Sequence, residues 1–338
     1  MTDQTVSSQL DALWARGTAF LGSRYAILGG AMSWVSERNL VAAISNAGAF
    51  GVIACGSMSP KLLATEITAT RALTDKPFGV NLITMHPQLE ELIDVCIDHK
   101  VTHMVLAGGL PSAASITRIK NSGAKVMCFA PALALAKRLI RSGADALIVE
   151  GAEAGGHIGP VVTSVLAQEI LPQINDVPVF VAGGIGRGEA MVSYLDMGAA
   201  GCQLGTRFVC ASESIAHENF KKAFIRANAR DAVPTTQIDP RFPVIPVRAL
   251  QNKGTDAFMA LQREVIERYT NGDVDQKEAQ LEIEHFWAGA LRKAVIDGDV
   301  EYGSLMAGQC VGMVKCVEPT SAILDDLINQ AHEMLALR

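Results

Sequence analysis

A histidine set in a glycine-rich turn, Glu153-Ala154-Gly155-Gly156-His157-Ile158-Gly159, is where this chain is best equipped to do chemistry. The turn follows the apolar run Ala146-Leu147-Ile148-Val149, which reads as a buried strand closed by Glu150. Glycines after a strand let backbone N–H groups approach an anion with no Cβ in the way. An imidazole ionises near neutrality and can give or take a proton there. A turn histidine bonded only to backbone is the plainer alternative. A strand's C-terminal end, where catalytic groups gather in barrels, favours the catalytic reading of His157.

A second loop, Ala182-Gly183-Gly184-Ile185-Gly186, follows the apolar run Val177-Pro178-Val179-Phe180-Val181. Gly183 and Gly184 would cradle a phosphate, as would Gly155 and Gly156 in the first loop; a tight strand-to-helix turn needs the same glycines. The segment Gln203-Leu204-Gly205-Thr206-Arg207 ends the next strand and brings further N–H and hydroxyl donors, at Gly205 and Thr206. Two adjacent loops of this kind favour the phosphate reading. Asn81 ends the run Phe78-Gly79-Val80; its amide both donates and accepts, which suits a ring with alternating N–H and C=O groups or, equally, its own turn. Glu150 is placed to accept from a ligand or to pair with a cation. Gly30, Ala31 and Met32 follow the first strand and would lie against a flat ring or pack as core.

Strands must hold these groups at one end of one scaffold. Short apolar runs occur at 25–28, 51–54, 78–82, 103–106, 125–129, 146–150, 177–181 and 201–204, with amphipathic helical patterns between them. Helices are expected over 39–44, 60–73, 89–96, 132–140 and 190–197, with Gly143 stopping the fourth. Eight β-then-α units predict a closed parallel TIM (β/α)8 barrel, with a doubly wound sheet as the alternative. Both glycine loops then fall late in the barrel, where phosphate sites are common.

The rhythm breaks after about Ser214. Residues 217–230 read as a helix carrying Lys221, Lys222, Arg226 and Arg230; a proline-rich loop and long helices over 256–269 and 276–297 follow, with no strand alternation. The expected division is a barrel of residues 1–215 plus 304–338, closed by a helix over 321–337, and a mostly helical insertion of 216–303 over the mouth. The basic helix reads first as an ordinary solvated face, with docking of an acidic or phosphate-bearing partner as the alternative.

With 49% hydrophobic and 5% aromatic residues, the 338-residue chain suits strands buried on both faces. A net charge of −6 without a basic block argues against nucleic acid or anionic membrane as partner. Seven dispersed cysteines without metal-type spacing read as buried reduced thiols, and no metal site is expected. The start, Met1-Thr2-Asp3-Gln4, lacks the pattern of a leader, no stretch reaches bilayer length, and a cytoplasmic location is the default expectation. No strand is followed by a full Gly-x-Gly-x-x-Gly with an acidic residue about 20 positions on, so a nicotinamide nucleotide would visit as a substrate.

These residues resemble the nitronate monooxygenase (2-nitropropane dioxygenase-like) family, which includes the flavin-dependent type II enoyl-acyl-carrier-protein reductases. The resemblance runs over nearly the whole chain. It is strongest at 75–82, 134–146, 150–159, 203–208 and Met306-Ala307-Gly308-Gln309. The forms Gly-Gly-His-Ile-Gly, Gly-Thr-Arg-Phe and Met-Ala-Gly-Gln look more like the enoyl reductase branch. What it implies is non-covalent FMN contacted by Asn81, Glu150, Gly155, Gly184, Gln203, Gly205 and Thr206, with Leu204 beside them, and His157 as the catalytic residue. NAD(P)H would be the co-substrate, and a small-molecule or acyl-carrier-protein-bound enoyl thioester the acceptor, as in fatty acid biosynthesis. Alkyl nitronate oxidation with oxygen and quinone reduction are the redox alternatives; a flavin-free phosphate-binding lyase or isomerase is the non-redox one. A homodimer is left open.

Three stretches depart from the family pattern. Ala26-Ile27-Leu28-Gly29-Gly30-Ala31-Met32 stands where Pro-Ile-x-Gln-Gly-Gly-Met is usual, on the strand-one side of the expected flavin pocket. Ala49 replaces a commoner glycine, an expected bulkier edge at the substrate. Residues 231–247 match poorly and are expected to shape substrate access.

Overall fold

The computed structural model describes residues 3–338; Met1 and Thr2, the start of the stretch read as lacking a leader, lie outside them. Its strands are β1 (Ile27–Gly29), β2 (Gly51–Ala54), β3 (Phe78–Ile83), β4 (His103–Ala107), β5 (Lys125–Phe129), β6 (Ala146–Glu150), β7 (Gly156–His157), β8 (Val179–Ala182), β9 (Gly201–Leu204), β10 (Ala232–Pro234) and β11 (Val247–Leu250). Eight of them form one parallel sheet in the order β1-β9-β8-β6-β5-β4-β3-β2. The two edges meet through Phe50: Gly29 N donates to Phe50 O and Phe50 N to Ile27 O, each at 2.9 Å. The result is the expected TIM barrel.

Helices between the strands form the outer layer, and local chemistry sets their ends. Ser59 caps the helix Pro60–Leu73 by accepting from Leu62 N, with a proline in its first turn where no N–H is needed. The helix Leu133–Arg141 stops at Gly143, whose φ of +102° lets Ala144 N return to Leu139 O.

Aromatic contacts reveal which side chains point inward. Phe20, on an N-terminal helix, stacks within 5.3 Å of His103 and 6.2 Å of Phe180, and Phe50 lies 4.9 Å from His103. His103 and Lys125 both reach Phe20 O. Phe20 acts as a plug at the strands' N-terminal end, and burial holds the His103 imidazole neutral by lowering its pKa to about 4. Side chains alternate along a strand, so Val105 on β4 and Ala182 on β8 face the same interior one layer higher. Their register partners are Asn81 for Val105, and Glu150 and Gln203 for Ala182. Leu28 pairs Gln203 and closes the row.

Residues 216–303 are not free of strands, as the loss of alternation had suggested. β10 and β11 pair antiparallel, and β11 pairs β7, which carries His157. Strands of three and four residues are too short to show a period. The helix expected over 276–297 is broken: Gln276–His285 ends before Gly289, whose φ is +74°. Phe242, Phe258, Val265, Ala279 and Ile283 form a second small core there. Lys221, read as part of a solvated basic helix face or else a docking face, is buried; its Nζ donates to Ala211 O at 2.8 Å and Ser214 O at 2.7 Å. Lys222 pairs with Glu218 one turn away, and Arg230 lies beyond the helix end at Arg226. Lys221 therefore contributes to neither a solvated face nor a docking one.

Six of the seven cysteines are buried free thiols and Cys316 is exposed. Among the described residues, no group of three or more His, Cys, Asp or Glu could hold a metal. No helix of the described residues is long and apolar enough to cross a membrane.

Candidate active site

The interior row and the loops above it bring most of the predicted residues to one mouth. Asn81 is buried on β3, with only a long contact of 3.4 Å from Nδ2 to Val105 O. Gln203 is 8% exposed and its amide has no protein partner among the described residues. A Cβ at Gly30 would meet Gln203 Cγ at 3.5 Å, and one at Gly205 would meet Met32 Sδ at 3.5 Å. Gly30, Met32, Gln203, Leu204 and Gly205 therefore share one wall, and Gly30 N donates to Leu204 O at 2.8 Å. Ala31, half-buried between Gly30 and Met32, belongs to the same turn.

Two departures in the first motif prove remote from this wall. A Cβ at Gly29 would meet Ile44 Cδ1 at 2.6 Å, so position 29 faces the helix layer and a glutamine has no room there. Ala26 is fully buried at the far end of β1. Ala49 precedes β2 at the plugged end and is 1% exposed, so it forms no edge at the substrate.

Gly183 and Gly184 take φ of +97° and +72°, a region costly to side chains. Their neighbours are close: added Cβ atoms would meet Thr163 Oγ1 at 2.8 Å and Glu153 Cβ at 2.9 Å. Glu153 in turn accepts from Thr163 N at 2.7 Å and Thr163 Oγ1 at 2.8 Å, locking the first loop against the second. Among the described residues, the N–H groups of Gly184, Ile185, Gly186 and Gly205 donate to no protein acceptor. Buried loops rarely leave amides idle. Gly308 N donates to Thr206 Oγ1 at 2.9 Å, so the Thr206 hydroxyl anchors the return segment 304–309.

His157 stands on β7 opposite Val247 of β11, with Ile158 N bonded to Pro246 O at 3.0 Å. Its side chain is exposed at the rim, while the protein around the loop desolvates it and lowers its pKa from 6.5. Residues 231–247, the poorly matching stretch, thus abut the histidine. Gly155 lies against Ala307, and Gly156, with φ of +80°, against Met306. Glu150 is half-buried inside the rim, and burial alone pushes its carboxyl up to about 8.

Two residues of this site were not anticipated. Arg248 is a buried guanidinium on β11 bonded to Ala152 O and Ala232 O. A lone arginine in the apolar run Val247–Leu250 was its available signal. Trp34, in the turn after β1, holds φ at +68°, with Arg292 5.7 Å from its ring centroid. Such strain in a bulky residue often marks a functional turn.

The geometry offers a flat polar floor, idle amides at one end and an imidazole at the rim. This arrangement fits a planar cofactor with an anionic tail: unpartnered carboxyl and amide groups would meet its polar edge, and a loop with no room for a Cβ at Gly183, Gly184 or Gly186 would meet the phosphate.

The family model for nitronate monooxygenase matches residues 15–95 and 88–330. The chain is 30% identical to the (3aS,4S,5R,7aS)-5-hydroxy-7a-methyl-1-oxo-octahydro-1H-indene-4-carboxyl-CoA dehydrogenase of Mycobacterium tuberculosis, over 95% of this chain and 98% of that protein. It is 28% identical to a probable nitronate monooxygenase of Staphylococcus saprophyticus, over 96% and 99%. The solved structure of FabK from Thermotoga maritima superposes with a TM-score of 0.86 at 35% identity, covering 95% of this chain and 97% of that one.

Proposed function

The chain belongs to the nitronate monooxygenase family and is an oxidoreductase, and on that premise we propose that it holds FMN non-covalently and uses NAD(P)H to reduce an enoyl thioester. The observation that carries this reading is the mouth itself, where Glu150 and Gln203 share a register row through Ala182, Asn81 stands on β3 in register with Val105, and four backbone amides nearby are idle. Bound FMN would supply hydride chemistry that no side chain provides.

The chain's own work is to bind, orient and move one proton. The loops 183–186 and 205–206 would hold the phosphate, and Gly30 to Met32 would line one side of the ring. His157, as imidazolium, would donate a proton to the carbon next to the thioester carbonyl, the hydride for the carbon beyond it being the chemistry that the bound cofactor would supply. The balance is one NAD(P)H and one proton consumed per double bond reduced. Residues 216–303 act as a lid domain on the barrel of 1–215 and 304–338. The thioester reading is supported by the carboxyl-CoA in the name of the mycobacterial relative and by the enoyl-reductase form of the motifs.

One observation favours a second reading, oxidation of nitronates or nitroalkanes. Desolvation keeps His157 neutral, which suits removal of a proton from carbon. Stopped-flow mixing separates the two. Rapid NADH-dependent bleaching of the flavin, reversed by crotonyl thioester, supports reduction; oxygen uptake with propyl nitronate and no response to NADH overturns it. Colourless protein that takes up no FMN removes both and leaves a phosphate-binding lyase or isomerase.

A further inference from the structure

We propose that Glu150 enters the flavin site as an uncharged carboxylic acid, so that cofactor binding is linked to a proton. This rests on the FMN reading and adds what the acid does in it. Glu150, Ala182 and Gln203 stand in one register row across β6, β8 and β9. Only the Ala182 methyl lies between the two long side chains, and two strand spacings separate their backbones by roughly 10 Å. That leaves a seat for a three-ring heterocycle with an acid at one side and an amide at the other.

Neither group has a protein partner among the described residues. No cation and no backbone N–H of the described residues comes to the Glu150 carboxyl to hold a negative charge there. Charged groups on the surrounding elements are committed elsewhere. Glu153, on the following loop, accepts from Thr163. Arg248, on β11, donates to Ala152 O and Ala232 O. Lys125, on β5, is bonded to Phe20 O at the plugged end, with His103 of β4 beside it. His157 leaves at the exposed rim.

A neutral acid presents one O–H donor and one C=O acceptor, the same pattern as the Gln203 amide. Together they match a ring edge of alternating N–H and C=O groups. A carboxylate offers acceptors only and sets its charge against the ring carbonyls in a dry site, which costs binding energy. Burial raising this carboxyl to about 8 accords with the neutral form at physiological pH.

The test is titration of apo-protein with FMN, followed by quenching of flavin fluorescence from pH 6.5 to pH 9.5. For the wild type, Kd is expected to stay level to about pH 7.5 and to rise roughly 30-fold by about pH 9.5. Glu150→Gln, which fixes the donor and acceptor, is expected to stay level across the range. Calorimetry at about pH 9 in buffers of different ionisation enthalpy provides a readout on the wild type alone: close to one proton taken up per FMN bound. A wild-type Kd independent of pH, a Glu150→Gln protein sharing the wild-type pH dependence, or no proton uptake overturns the proposal. Failure to bind FMN at every pH instead removes the reading on which it stands.

Discussion

Arg248 donates from Nε to Ala152 O at 2.8 Å, so a guanidinium on β11 grips the loop that carries His157. Its Nη1 reaches Ala232 O on β10 at 2.6 Å, and its own carbonyl accepts from Ala307 N at 3.3 Å. In register, Arg248 pairs Gly156 and Val247 pairs His157. One side chain thus ties the His157 loop, the small antiparallel sheet and the return segment together. No ion pair forms between Arg248 and a carboxylate of the described residues, and desolvation lowers its pKa while Glu153 opposes the shift. A charge held this way, by carbonyls alone, is retained for position.

Replacing Arg248 by methionine should therefore uncouple His157 from its seat while leaving the phosphate cradle intact. We expect kcat to fall by at least about tenfold, FMN affinity to stay within roughly twofold, and stability to drop by about 1–3 kcal/mol from two unsatisfied buried carbonyls. Arg248→Lys should recover stability more than kcat, because an ammonium lacks the planar fork that reaches both carbonyls. Steady-state kinetics beside flavin titration checks this; equal losses of both quantities would mean that Arg248 only supports the fold.

Gly184 gives the complementary result. Its φ is +72°, and a Cβ added there would stand 2.9 Å from Glu153 Cβ, which leaves alanine no relaxed conformation. Gly184→Ala is expected to cost about 1–2 kcal/mol in backbone strain alone and to move the amides of 184–186 off the phosphate. The purified variant should lose its bound flavin, seen as loss of yellow colour, with Kd for FMN raised at least about tenfold. A variant that stays yellow with wild-type Kd would place the phosphate elsewhere.

The barrel was legible because its strands are buried on both faces and read as apolar runs, as in 125–129 and 146–150. Glu150 and Gln203 were legible as strand-end polar residues, but their pairing through Ala182 depends on register, which a sequence without its fold does not state. β7, β10 and β11 were invisible at two to four residues each. Lys221 misled because helical spacing assigns a face without saying what covers it; the turn 211–214 folds back over its ammonium. Gly29 misled for a related reason: β1 turns that position toward Ile44, so a family difference there touches packing and not the ring.

Glu150 also sets how the apo-protein responds to alkali. Its folded pKa, about 8, lies above the ordinary 4.5. Between these values the folded chain keeps a proton that the unfolded chain has released, so rising pH favours unfolding through this group. The penalty begins near pH 4.5, is complete near pH 8, and has the order of a few kcal/mol at most. Glu150→Gln removes it. Thermal melts of the apo-proteins should show the variant more stable by a few degrees at about pH 8, and the gap should close toward about pH 5. A constant gap across that range would assign the difference to packing and not to the proton.

The direction of the pH–rate limb decides which way His157 moves its proton. Desolvation lowers its pKa from 6.5, so the imidazole is mostly neutral at pH 7. If it protonates the thioester substrate, the active form is the imidazolium, and kcat/KM for enoyl reduction should fall tenfold per pH unit once pH exceeds the lowered pKa, with a plateau below it. If it removes a proton from a nitroalkane, the active form is the neutral ring, and kcat/KM should rise to a plateau above that pKa. His157→Gln should flatten either limb and lower kcat/KM by roughly 10²–10⁴-fold while retaining flavin, because the ring sits at the rim beyond the phosphate cradle. Profiles measured with crotonyl thioester and with nitroethane on the same preparation make the comparison direct. A limb that survives in His157→Gln would transfer the proton to another group, and Glu150, whose carboxyl burial pushes up to about 8 in the same mouth, would be the next to vary.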